Sequence, residues 1–171
     1  MIKVVLMMAT TLDGLIAKDK NHFANWTSKE DKKLFVAESK KHGVIIMGEN
    51  TFKTFKKPLP GRLNVVFSYK NKETSNYENL KYVNDEPENV LQDLEKKGYK
   101  SVLLGGGAII NSLFLEKKLI NEIIITIEPK LFGQGLSIFA NPCNIDLNLI
   151  KLEKLSNDVF YVHYKLKYPK L

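Results

Sequence analysis

The stretch Ser101-Val102-Leu103-Leu104-Gly105-Gly106-Gly107-Ala108 decides the fold class of this chain. Its apolar half predicts a buried strand, and residues 108–115 predict the helix that follows. The three glycines between them mark a tight turn. A buried strand that turns directly into a helix is the repeating unit of α/β proteins with a largely parallel sheet.

The same alternation of short apolar runs and amphipathic stretches extends along the whole chain. Further strands are predicted at residues 4–9, 44–47, 63–68, 80–83 and 122–128. Helices are predicted from Thr27 or Ser28 to Gly43, from Asn50 or Thr51 onward, and over residues 88–97. Residues 149–155 and 159–166 predict a closing antiparallel hairpin. We expect one domain over residues 1–171, a three-layer α/β fold with helices on both faces of a central, mostly parallel sheet.

The composition narrows the class of partner. A chain of 171 residues that is 44% hydrophobic can bury one core, and it has no apolar run near the roughly 20 residues that a membrane helix needs. The net charge of +7 comes from lysines dispersed among acids, which indicates a solvated surface rather than a nucleic-acid interface. The single cysteine, Cys143, fits a reducing compartment. We expect a cytoplasmic protein, and a small anionic ligand is compatible with this charge.

Three segments follow predicted strands and should meet at one edge of the sheet, where ligands bind in this class. They are residues 48–51, 67–70 and 105–107. Two of them lead into helix N-termini, whose free N–H groups suit a ligand with two phosphate groups, such as a dinucleotide. The triple glycine taken alone is equally compatible with a tight turn that binds nothing.

Two charged side chains are candidates for chemistry. Asp31 follows Trp26 by five residues and precedes Phe35 by one helical turn, so apolar neighbours including Met7 should desolvate it and raise its pKa. Such a carboxyl can donate a proton or anchor a ligand, although an acid in a first helical turn is also favoured by the helix dipole alone. Arg62, the sole arginine, lies in a Pro/Gly loop and offers a fork for a carboxylate or phosphate, unless it is an ordinary surface residue. The three histidines are far apart and predict no metal site.

Taken in order, these residues resemble the dihydrofolate reductase superfamily over nearly the whole chain. The likeness is carried by residues 8–17, by Trp26 with Asp31, by residues 46–52 and 58–64, and by residues 104–107 together with Thr126. The resemblance implies an NADPH-dependent reductase that transfers hydride to C6 of 7,8-dihydrofolate and yields tetrahydrofolate.

The resemblance also implies the role of individual residues. Catalysis would fall to Asp31 and Thr126, with Asp31 promoting protonation at N5. The substrate would be bound by Met7, Met8, Asp31, Phe35, Leu59, Arg62, Leu104 and Thr126, with Arg62 on the glutamate carboxylate. The cofactor would be bound by Ala9, Ile16, Gly48, Asn50, Thr51, Ser68, Tyr69, Lys70, Gly105, Gly106, Gly107, Ala108 and Ile109.

Several positions leave alternatives open. Glu49 stands where many of these reductases carry an arginine for the 2′-phosphate of NADPH, so NADH is not excluded unless Lys57 or Lys70 compensates. Ile110 replaces a common tyrosine. Residues 11–14 and 129–135 look more like the reductase domain of riboflavin biosynthesis, which reduces a ribosylamino-pyrimidine phosphate. A non-catalytic nucleotide-binding relative is a third possibility, and both a monomer and a homodimer are compatible with the sequence.

Overall fold

The computed structural model describes residues 2–22, 25–69 and 75–169. The strands are β1 Lys3–Thr11, β2 Leu15–Ala17, β3 Val44–Gly48, β4 Leu63–Phe67, β5 Leu80–Val83, β6 Ser101–Leu104, β7 Glu122–Glu128, β8 Leu136–Ser137, β9 Asp146–Lys154 and β10 Phe160–Lys167. The helices are α1 Lys29–His42, α2 Glu49–Lys53, α3 Pro87–Lys96 and α4 Ala108–Glu116. None of these described helices combines the length and the apolar character that a membrane span requires.

Eight strands form one sheet in the order β5-β4-β3-β6-β1-β7-β10-β9. The first six are parallel to one another, whereas β10 is antiparallel to both β7 and β9. The predicted C-terminal hairpin therefore closes one side of a mostly parallel sheet. The α/β fold class is confirmed.

Two apolar clusters lie on opposite faces of this sheet. One contains Val90 and Leu94 of α3 with Phe114 of α4, and the other contains Phe52 of α2 with Phe35 of α1 packed against it. Helices α3 and α4 thus cover one face, and α1 and α2 cover the other. Since a parallel sheet must be buried on both sides, this arrangement gives the predicted three layers.

Helix α1 has the ends that the sequence predicts. Ser28 is its N-cap, and the Ser28 hydroxyl accepts a hydrogen bond from the Asp31 N–H over 3.1 Å. Gly43 ends the helix with φ 71°, a left-handed conformation that glycine adopts without strain. Helix α2 begins at Glu49, one residue before the predicted start, and is only five residues long.

A separate two-stranded sheet, formed by β2 and β8, was not predicted. Its strands have three and two residues, which is too short for an alternating pattern to be visible in sequence. A Cβ on Gly135 would lie 2.1 Å from the Ala17 carbonyl oxygen, so only glycine permits this approach. The small sheet joins the segment after β1 to the segment after β7.

Candidate functional site

The carboxyl ends of β1, β3, β4, β6 and β7 meet at one edge of the sheet, because these strands are parallel neighbours. In register, Ala9 of β1 is paired with Thr126 of β7, and Thr11 with Glu128. The N-terminus of α1 lies over this edge, since Ser28 is bonded to Glu128. The strand order therefore gathers most of the segments that the sequence singles out.

Asp31 is the buried acid of this edge. Its side chain is 7% exposed, and burial raises the pKa of its carboxyl above the ordinary aspartate value. The hydroxyls of Thr126 and Thr27 lower that pKa to a smaller extent. The direction and the dominant cause, desolvation, are those expected from the sequence. A carboxyl in this environment retains a proton to higher pH than an exposed aspartate does.

Thr126 lies fully buried beside Asp31. Its hydroxyl has no hydrogen bond of ordinary geometry to any described residue, although it is near enough to the carboxyl to influence the pKa of Asp31. The indole N–H of Trp26 is likewise buried without a partner in the described part of the chain. These polar atoms are thus available to a ligand, because buried polar groups normally have partners.

The predicted substrate wall divides between the two faces of the sheet. Met7, Phe35 and Leu59 belong to the apolar cluster on the α1 side, where Phe35 stacks on Phe55 at 6.1 Å between ring centroids. Met8 and Leu104 belong to the opposite cluster. The Met8 sulfur lies 2.9 Å from the position a Cβ on Gly106 would occupy, so it lies beside the glycine turn.

Arg62 is buried, with 6% of its surface exposed, and it contacts α1. Its Nε donates to the Pro60 carbonyl over 3.1 Å, and its Nη1 donates to the Val36 carbonyl over 3.3 Å and to the Ser39 hydroxyl. The guanidinium therefore already has partners within the chain. That Arg62 binds an anion remains a prediction. The anion would have to bind the guanidinium N–H groups that these bonds do not use.

The loop that carries Arg62 is held by Asn64. The Asn64 side chain accepts from the Leu59 N–H over 2.9 Å and donates to the Leu59 carbonyl over 2.9 Å. It also donates to the Arg62 carbonyl over 3.0 Å. One fully buried amide thus fixes both Leu59 and Arg62 relative to the sheet.

The glycine turns bring the ends of β3 and β6 into contact. The Gly48 N–H donates to the Gly106 carbonyl over 2.8 Å, and a Cβ on Gly48 would lie 2.9 Å from the Ile110 side chain. The peptide bond between Gly106 and Gly107 is cis. Packing within the chain thus already requires glycine at position 48. It does not by itself demand a ligand.

The N-terminus of α4 still offers donors at this edge. Its N-cap, Gly107, forms no side-chain capping bond, and the first N–H groups of a helix have no partner within the helix. Ala108 is half-buried and Ile109 is 64% exposed, so the first turn borders solvent. The first N–H groups of a helix, at the positive end of its dipole, suit a phosphate.

Glu49 places a carboxylate at the end of β3. The Ser68 hydroxyl donates to Glu49 Oε2 over 2.7 Å, and Lys53 Nζ lies 2.8 Å from Oε1.

The other predicted cofactor residues differ in burial. Thr51 is half-buried against Gly107, whereas Asn50 and Tyr69 are exposed. Lys70, the remaining predicted cofactor residue of this segment, lies outside the described residues. Ala9 and Ile16 are half-buried on β1 and β2.

The hydrogen bonds of Asp13 were not predicted from the sequence. The Asp13 carboxylate accepts from the backbone N–H groups of Phe132 and Gly133, over 3.2 and 2.7 Å, and from the Thr11 hydroxyl. The Thr11 hydroxyl and the Gly133 N–H hold the pKa of Asp13 below its usual value. The two segments that look like the riboflavin-pathway reductase are thus bonded to each other. The one sequence signal for this contact was that residues 11–14 and 129–135 both resemble the same reductase.

Glu128 was also missed, because the sequence presents it only as the last residue of a strand. It is 2% exposed and accepts two hydrogen bonds from Ser28. Its signal was its spacing of two residues from Thr126, which places both on one face of β7. In the described ranges, no group of three or more His, Cys, Asp or Glu side chains is placed to hold a metal ion.

Several known proteins are similar to this chain over nearly its whole length. A dihydrofolate reductase of Ureaplasma parvum is 29% identical over 163 residues, covering 93% of this chain and 94% of that protein. A protein of Shewanella sp. PV-4 assigned to riboflavin biosynthesis is 26% identical, with TM-score 0.79 over 98% of this chain and all of that one. Enterococcus faecalis dihydrofolate reductase, solved with NADP(H), shares the fold at 17% identity and TM-score 0.71, covering 97% of each chain.

These similarities confirm the expected relationship to the dihydrofolate reductase superfamily. They also refine it, because the match to a named family covers most of the chain, from residue 2 to residue 161. The chain belongs to the family described as the RibD C-terminal domain.

Proposed function

We propose that this protein is a nicotinamide-dependent reductase that transfers hydride to a pterin or pyrimidine, with 7,8-dihydrofolate as the first candidate substrate. The carrying observation is Asp31, a buried carboxyl of raised pKa beside the unpartnered hydroxyl of Thr126. The named relatives support this proposal, since one is a dihydrofolate reductase at 29% identity.

The chemistry requires a hydride and a proton on adjacent atoms. A bound nicotinamide cofactor supplies the hydride to C6 of the substrate. The electron pair of the C6=N5 double bond must then take a proton at N5. A carboxyl whose pKa is raised by burial can deliver that proton or hold a donor for it, which is the role we assign to Asp31. Thr126 would hold the substrate ring against it.

The residues that would hold the cofactor lie along the same edge. The first turn of α4 would receive the pyrophosphate, and Ala9 and Ile16 would lie toward the nicotinamide. From there the rest of a dinucleotide would extend over the end of β3, which neighbours β6 in the sheet, and then over the end of β4, the next strand. The exposed side chains of Ile109 and Tyr69 would border it.

This position bears on the choice between NADPH and NADH. An adenosine ribose over the ends of β3 and β4 would meet the Glu49 carboxylate, which repels a 2′-phosphate and accepts a hydrogen bond from a 2′-hydroxyl. Lys53 partly neutralises Glu49, so the repulsion is reduced but not removed. We therefore expect NADH to be used at least as well as NADPH.

A second candidate function is reduction of a ribosylamino-pyrimidine phosphate, as in riboflavin biosynthesis. The family match favours it. So does the hydrogen bond from the Gly133 N–H to Asp13, because it joins the two segments that resemble that reductase. In that case a phosphate would take the place of the glutamate carboxylate near Arg62.

One experiment separates these functions. Oxidation of NADPH and of NADH is followed by absorbance with 7,8-dihydrofolate and, in parallel, with the ribosylamino-pyrimidine phosphate, for wild type and Asp31→Asn. Turnover of dihydrofolate that the substitution abolishes supports the first candidate, and turnover of the pyrimidine alone selects the second. Cofactor binding without turnover of either substrate would identify a non-catalytic relative.

A further inference from the structure

A second carboxylate, Glu128, lies buried next to the N-terminus of α1. We propose that Glu128 is the positioning residue for Asp31, fixing the helix turn that carries it and holding its carboxyl in the protonated form. The inference rests on the proposed role of Asp31 as the acid of a reductase.

The positioning part rests on a chain of hydrogen bonds. Both the N–H and the hydroxyl of Ser28 donate to Glu128 Oε1, each over 2.8 Å. The same hydroxyl accepts from the Asp31 N–H over 3.1 Å. Because a hydroxyl has only one proton to donate, its bond to Glu128 directs its lone pairs toward the helix. Glu128 on β7 thus determines where the first turn of α1 begins.

The electrostatic part rests on two buried carboxyl groups sharing one environment. Glu128 is 2% exposed and Asp31 is 7% exposed. Two such groups in proximity do not both ionise readily. Both hydrogen bonds from Ser28 go to Glu128 Oε1, so the Glu128 carboxyl is fixed in place beside the helix start. Burial raises the pKa of Asp31 and Glu128 raises it further, which favours the protonated form of Asp31 that the proposed reaction uses.

The charged groups acting on Asp31 come from two elements. Glu128 on β7 raises the pKa of Asp31, and Lys32 on its own helix lowers it. Desolvation is the largest cause of the raised pKa, so Glu128 adds to an effect that burial begins. Removal of the Glu128 charge should lower the pKa of Asp31 without restoring its ordinary value.

The test is a direct titration of Asp31. The carboxyl carbon of Asp31 is followed by NMR against pH in the ligand-free protein, and its resonance is assigned by its loss in Asp31→Asn. Glu128→Gln keeps the size and one acceptor but removes the charge, so the Asp31 midpoint should shift to lower pH. The matched control is Glu30→Gln, which removes a charge from the same helical turn and should leave the midpoint unchanged. An unchanged midpoint in Glu128→Gln, or an equal shift in Glu30→Gln, overturns the proposal.

A second variant keeps the inference testable if Glu128→Gln does not fold. Glu128→Asp retains the charge but shortens the reach to Ser28, so the Asp31 midpoint should stay raised while the melting temperature falls. Because the charge is retained, a midpoint clearly below the wild-type value in that variant contradicts the electrostatic part, and an unchanged melting temperature contradicts the positioning part.

The titration needs no substrate, so it is independent of the proposed reaction. If the enzyme reduces dihydrofolate, the pH profile of kcat in Glu128→Gln should shift in the same direction as the Asp31 midpoint. Absence of turnover in wild type would count against the proposed function alone, whereas a profile that does not follow the midpoint would count against this inference.

Discussion

The guanidinium of Arg62 donates from Nη1 to the hydroxyl of Ser39 in the interior of α1. Arg62, the sole arginine of the chain, thus bonds to the helix that carries Asp31. Its partner Ser39 lies 23 residues away in sequence. Loop and helix are held together by one side chain. A ligand anion at Arg62 would act on a group whose orientation is already fixed.

Arg62→Lys should therefore lower both stability and substrate affinity. Lysine cannot reproduce the bonds from Nε and Nη1, and loss of buried bonds to a charged group costs about 1–3 kcal/mol in the free energy of unfolding. Denaturant unfolding measures this loss. KM for the substrate should rise while the Kd of the cofactor stays unchanged.

The matched variant is Ser39→Ala, which removes one partner of the guanidinium and leaves its charge in place. We expect it to lower stability with a smaller change in KM. If KM in Arg62→Lys equals that of wild type while stability falls, Arg62 is a structural residue and the anion binds elsewhere.

Asp31→Asn should lower kcat by roughly 10²- to 10⁴-fold, the usual contribution of a positioned acid. The amide has nearly the same size and the backbone bond of residue 31 to Ser28 is retained, so cofactor affinity should not change. Single-turnover hydride transfer with each nicotinamide cofactor measures the first effect, and fluorescence titration measures the second. A variant with wild-type kcat would remove Asp31 from the reaction.

The same substitution should stabilise the protein at neutral pH. Because the folded pKa of Asp31 is raised above its unfolded value, the folded state binds the proton more tightly. The contribution of this group to the free energy of unfolding therefore falls as pH rises from the unfolded value through the folded pKa. Asp31→Asn removes that loss, so its advantage over wild type should be present at pH 7 and absent below about pH 4. The check is the difference in melting temperature between Asp31→Asn and wild type, measured at each of the two pH values.

Glu49→Gln should shift the cofactor preference toward NADPH. Removal of a half-shielded carboxylate from the end of β3 removes repulsion of a 2′-phosphate, and we expect KM for NADPH to fall roughly three- to tenfold relative to KM for NADH. Lys53→Gln should act in the opposite direction, since it removes the positive charge that lies 2.8 Å from Glu49 Oε1. Equal ratios of the two KM values in all three proteins would place the ribose away from Glu49.

Asp13→Ala should loosen the contact between the segment after β1 and the segment after β7. It removes the acceptor of the Phe132 and Gly133 N–H groups, so hydrogen exchange should become faster over residues 11–17 and 130–137. Asp19→Ala is the control, because Asp19 bonds within its own turn, to the Asn21 N–H. Equal exchange in wild type and Asp13→Ala would show that β2 and β8 hold the two segments without Asp13.

Local sequence predicted the layered fold and the ends of several elements, although β1 runs over residues 3–11 instead of 4–9 and β9 over 146–154 instead of 149–155. The apolar runs of β5, β6 and β7 coincide with the predicted strands, and Ser28 and Gly43 end α1 as predicted, because capping and burial of these segments depend on neighbours within a few residues. The small sheet of β2 and β8 could not be predicted, since its stability comes from a contact across more than 100 residues.

The candidate site shows the same division. The sequence placed Asp31 in the first turn of a helix, with burial as one of two readings, and it placed glycines at the ends of β3 and β6. The tertiary structure alone decided what surrounds them: the bonds from Ser28 to Glu128, from Asp13 to Gly133, and from Arg62 to Ser39. Each joins side chains far apart in sequence, and no local pattern encodes which buried polar group will meet which.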